Sequence, residues 1–69
     1  MKNVNYNLAK LLLSKMDNVW RLENYYVRDA EAENCHSLAA LREILQDEKR
    51  HIELLRQEVA KRCGSSKFD

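Results

Sequence analysis

Glu48 and His51, within "LQDEKRHIELL" at residues 45–55, are the pair best suited to chemistry in this sequence. A carboxylate and an imidazole three residues apart share one face of a helix. Both are ligands for divalent metals of the iron and manganese type. The position of Glu48 is as telling as its type. Leu38, Leu41, Leu45, Glu48, Ile52, Leu55 and Val59 follow one another in steps of 3, 4, 3, 4, 3 and 4, an unbroken heptad seam. The carboxylate therefore falls where a buried leucine belongs. An unpaired buried carboxylate is very unfavourable, so the seam predicts a compensating group.

A second carboxylate lies on the preceding apolar stripe. Val19, Glu23, Tyr26 and Ala30 step by 4, 3 and 4. In an antiparallel hairpin turning near residue 34 or 35, Glu23 and Glu48 differ by only about 3 Å in height, at roughly 1.5 Å per residue. One chain thus offers Glu23, Glu48 and His51 at one level, and a two-fold dimer doubles the set to four Glu and two His. That is the donor set of a di-metal carboxylate bundle, in which the cations compensate the buried carboxylates. Two other placements compete with this one. The hairpin could pack by a rotated stripe through Leu41, Ile44, Ile52 and Leu55, which leaves Glu48 and His51 in solvent. Glu31 could be the ligand of the first helix in a shifted register.

The elements that position these residues are helices. The chain has 69 residues, no Pro and a single Gly, Gly64. Long uninterrupted helices are permitted up to that point. No segment alternates between apolar and polar as a strand would. The pattern predicts an all-α chain with one domain over residues 1–69. Helix 1 spans about 5–33, helix 2 about 36–63, and residues 64–69 form a frayed tail. The first stripe is Leu8, Leu12, Val19, Tyr26 and Ala30, filled out by Leu11, Met16 and Leu22. Asn3 or Asn5 is the expected cap of helix 1, and Asn34 or Ser37 that of helix 2. Gly64 is the expected stop at the C-terminal end. Asp17–Arg21 and Glu58–Arg62 are expected i,i+4 pairs on outer faces.

A two-helix hairpin hides one stripe of each helix and leaves the rest wet. Chains below roughly 70–80 residues usually need a disulfide, a metal or a partner. Cys35 and Cys63 have no metal-type pairing and lie roughly 42 Å apart along a continuous helix, so they read as two reduced thiols. The expected solution is a homodimer, or a higher homo-oligomer, forming a four-helix bundle.

Other motifs read more simply. "ENCH", Glu33 to His36, is a second E-x-x-H, but it sits in the turn with no carboxylate at its level. Trp20 reads as core. Tyr26, on the Glu23 stripe, is placed to hydrogen-bond a metal-bound carboxylate.

"RLENYY…AALREILQDEKRHIELLRQEV" resembles the rubrerythrin and ferritin-like superfamily, over a stretch of roughly Trp20 to Val59. The resemblance matches Glu23, Glu48 and His51 to the family's ligands. It implies iron, two per dimer, with manganese or zinc as alternatives. It also implies a possible ferroxidase or peroxide-reducing activity. With one hairpin instead of two, the chain is similar to the half-ferritins, including the encapsulated ferritins, which implies an encapsulating shell protein as a further partner. No shell-targeting tail is recognisable in "GSSKFD".

The competing function is a non-enzymatic helical-hairpin dimer acting as an RNA-binding or adaptor module, with Lys10, Lys15, Arg21 and Arg28 available to phosphates. Twelve basic and eleven acidic residues nearly cancel, which argues against nucleic acid as the main partner. No apolar run is long enough to span a bilayer and no secretory signal is visible, so no membrane partner and a cytoplasmic location are expected.

Overall fold

A computed structural model describes residues 2–64. Among them there are helices and a turn, and no strand. The first helical arm is α1 (Asn3–Arg21), a π-helical turn (Leu22–Tyr26) and α2 (Val27–Ala32), in unbroken succession. The second arm is α3 (Leu38–Gly64). The arms pack antiparallel, α1 chiefly against α3. The resulting rod measures 49 × 16 × 13 Å. The frayed tail expected beyond Gly64 lies outside the described residues.

The turn has an identifiable physical cause. Cys35 N–H donates to the Ala30 carbonyl at 2.9 Å and Asn34 N–H to the Glu31 carbonyl at 3.1 Å. This crossed pair is a Schellman ending, with Asn34 in the left-handed region at φ 52°. Asn tolerates that conformation better than any other residue except Gly. Asn34 thus closes the first arm, whereas the sequence suggested it as a cap for the second. Ser37 takes the other role, its carbonyl accepting the Leu41 N–H at 3.0 Å.

The remaining ends also differ from expectation. The first helix begins at Asn3 with Lys2 at its cap position and no side-chain cap bond. Asn5 lies inside the helix, fully buried, and accepts a hydrogen bond from Arg62 Nε across the hairpin. Arg62 is therefore drawn to Asn5, and Glu58 pairs instead with Lys61 at 3.8 Å. Gly64 is the last residue of α3 and has no positive φ, so it is not a left-handed stop.

The α3 seam runs as its spacing predicts. Leu38, Leu41, Leu45, Ile52 and Val59 are half-buried, while Glu48 and Leu55 are buried. On the first arm the seam is Asn5, Leu8, Leu12, Lys15, Val19 and Leu22. The π turn then inserts an extra residue into the helical register. The inward positions beyond it are Val27 and Ala30, and Tyr26 is 43% exposed. The Asn24 amide donates to the Trp20 carbonyl at 2.8 Å, a side-chain insertion of the kind that accompanies such irregularities. Trp20, expected in the core, is 53% exposed and stacks edge-on against Tyr25 at 5.3 Å.

Candidate functional site

The heptad phase of α3 carries Glu48 into the hairpin, where only 9% of its surface is exposed. Three side chains meet its carboxylate. Lys15 Nζ donates to Oε1 at 2.9 Å, and Asn18 Nδ2 donates to Oε2 at 3.3 Å. His51 Nδ1 lies 3.3 Å from Oε1. Both carboxylate oxygens are thereby engaged, and among the described residues no buried side-chain polar atom lacks a partner.

The imidazole of His51 has a cationic side chain at each of its nitrogens. Arg50 Nη2, which only donates, is 3.3 Å from His51 Nε2. Lys15 Nζ also lies 3.3 Å from Nδ1, so the ammonium stands close to both Glu48 and His51.

The Glu48 carboxyl is held below the ordinary carboxylate range. The hydrogen bond from Lys15 is the largest cause, and it outweighs the desolvation that would raise the value. The Asn18 and His51 hydrogen bonds and the Lys15 charge act in the same direction. The ionised form is thus favoured in spite of burial. Beside the cluster lies an open groove of about 360 Å³, lined by Leu11, Ser14, Asp17 and Arg21 as well as Lys15, Asn18 and Glu48.

Glu23 stands apart from this cluster. It is exposed, and its Oε2 pairs with Lys49 Nζ at 3.1 Å. Lys15 and Asn18 approach Glu48 from one flank of the seam, and Glu23 and Lys49 meet on the other. The structure thus brings Glu48 and His51 together and leaves Glu23 outside. Tyr26 sits in the π turn beside Glu23 and makes no hydrogen bond to Glu48, whose partners are Lys15, Asn18 and His51. Glu31, the alternative donor, is exposed and pairs with Arg42 at 2.9 Å. His36, in the turn, is exposed. Among the described residues, no three of His, Cys, Asp and Glu gather as a metal-holding group. The donor set of one chain is therefore a carboxylate and an imidazole with an ammonium against them, and it does not by itself fit two metal ions.

Sequence reasoning did not identify Lys15, Asn18, Asn5 or Arg62 as core polar groups. A signal for Lys15 was present. The first stripe jumps seven residues from Leu12 to Val19, and a heptad seam requires a residue at 15 or 16 in between. Met16 looks the better filler, yet it is 50% exposed while Lys15 is half-buried. Lysine holds a seam position by laying its methylenes along apolar surface and carrying its charge to an acceptor.

Cys35 and Cys63 are both free thiols. No described helix is long and apolar enough to cross a membrane. Comparison with known proteins finds no matching family model, no matching curated protein and no matching solved structure.

Proposed function

We propose that this chain is a non-enzymatic association module, a helical hairpin that pairs with a second copy to form a four-helix bundle. One observation carries this reading. Among the described residues only Leu22, Ala30 and Leu55 are buried apolar side chains, while Val4, Tyr6, Leu11, Leu13, Met16, Trp20, Tyr25, Tyr26, Ile44 and Leu54 are each at least 43% exposed. A core of three side chains does not offset the conformational entropy of some sixty ordered residues, and a partner supplies the missing burial. Nucleic acid is a poor candidate for that partner. Of the four cations suggested for phosphate contact, Lys15 is bound to Glu48 and Arg21 to Asp17 at 2.9 Å each.

Association makes stability depend on concentration. The melting temperature is expected to rise by several degrees over a hundredfold increase in protein concentration. A melting temperature that stays constant over that range overturns the reading.

A second reading, a ferritin-like centre for iron, manganese or zinc shared between two chains, is favoured by the cluster itself. Glu48 Oε1 and His51 Nδ1 lie beside one cationic nitrogen, Lys15 Nζ, as they would beside a metal ion. Carboxylate and imidazole suit such ions. In this reading Glu48 and His51 hold the metal, Lys15 swings aside, and Glu23 moves off Lys49. Adding ferrous, manganous or zinc ion to chelator-treated protein is then expected to raise its melting temperature, and Glu48→Gln to abolish the rise. Identical melts with and without metal remove this reading.

A further inference from the structure

The first helix carries two apolar stripes, and α3 covers only one of them. The inner stripe, Leu8, Leu12, Val19 and Leu22, faces α3. The outer one is Tyr6, Leu13 and Trp20, spaced by seven residues, with Met16 and Tyr25 beside it. These five side chains are between 50% and 62% exposed. Such spacing is the seam that one helix presents to another. We propose that this outer stripe is the face on which a second copy of the chain docks, α1 against α1, antiparallel about Leu13.

Three features point to a second copy. The spacing is self-complementary, because Tyr6 and Trp20 lie seven residues on either side of Leu13. A two-fold axis at Leu13 therefore sets Tyr6 of each chain against Trp20 of the other, which is an isologous interface. A net charge of +1 gives two copies little mutual repulsion. The edge-on Trp20–Tyr25 pair supplies the aromatic surface on which interface energy concentrates.

This proposal rests on the association reading and adds a choice of face. Trp20 and Met16 lie on the flank that carries Glu23, opposite the one where Lys15 and Asn18 reach Glu48. Docking here leaves the two Glu48 clusters far apart on outer flanks. A shared metal centre would instead need the Leu11 flank at the interface.

Two substitutions and one spectroscopic signal decide between these faces. Leu13→Glu places two carboxylates at the two-fold axis and is expected to weaken the dimer by at least about 100-fold with helicity unchanged. Leu11→Glu, on the other flank, is expected to leave the dimer intact. Trp20 is the only tryptophan, so its emission in the unmodified chain is expected to shift to shorter wavelength as protein concentration rises through the dimer range. The choice of face is overturned if Leu11→Glu separates the chains and Leu13→Glu does not, or if Trp20 emission is indifferent to association. An unmodified chain that stays monomeric throughout overturns the association reading itself. Should Leu13→Glu unfold, the Trp20 emission of the unmodified chain still decides.

Discussion

Replacing Lys15 with Met is expected to destabilise the protein by about 2–3 kcal/mol. The change removes the ammonium from Glu48 and leaves the carboxylate in the seam with only Asn18 and His51 for partners. Breaking a fully enclosed pair from one side costs about 3–5 kcal/mol, and this pair stays slightly open to water, so the lower figure applies. The side chains of Lys15 and Glu48 are 22% and 12% exposed. A chain of this length has a total stability of roughly 3–10 kcal/mol, so the loss is a large share. The double replacement Lys15→Met with Glu48→Leu is expected to recover the original stability or exceed it, because an apolar pair of similar volume requires no desolvated charge. Chemical denaturation of the three proteins at neutral pH checks both statements. A double variant no more stable than Lys15→Met would show that the pair is not the origin of the loss.

The same pair fixes a pH dependence. Folding lowers the Glu48 carboxyl below its unfolded value of about 4.3. The stabilisation is therefore complete above that value and is lost as pH falls through the lower, folded one. The melting temperature of the unmodified chain is expected to drop more steeply below about pH 4.3 than that of the double variant.

Leu22→Ala is expected to have an effect as large or larger. Leu22 is 3% exposed, at the first position of the π turn, where α1 gives up its regular register. Truncating a buried leucine removes about 2–5 kcal/mol, and with so few buried apolar side chains there is little neighbouring core to collapse into the gap. Leu54→Ala is the control. Leu54 is 51% exposed, and its truncation is expected to change stability by no more than about 0.5 kcal/mol. A Leu22→Ala protein that melts with the Leu54→Ala protein would place the core elsewhere.

Much of this architecture is legible in the residues, for physical reasons that also mark where legibility ends. The heptad from Leu38 to Val59 is regular enough to place Glu48 inside the hairpin, and Glu48 is buried there. The turn falls where the first stripe ends at Ala30 and the second begins at Leu38, around the cap candidates Asn34 and Ser37. Along an ideal helix Tyr26 points inward, and the π turn shifts that place to Val27; Glu23 is outside because the regular spacing from Lys15 and Val19 leads to Leu22 instead. No residue type in "LENYY" forces a wide turn, so the pattern carried no warning of it. The compensating group was foreseen as a need but not as Lys15, because lysine on a helix ordinarily belongs to solvent. The choice between Glu58 and Asn5 as the partner of Arg62 depends on which side chains meet across the hairpin, and spacing within one helix does not encode that.

Sedimentation equilibrium on the metal-free chain tests the central claim most directly. The account predicts twice the 8.2 kDa chain mass at micromolar concentration, with chelator present. A folded helical protein that sediments at the mass of one chain under those conditions would contradict it.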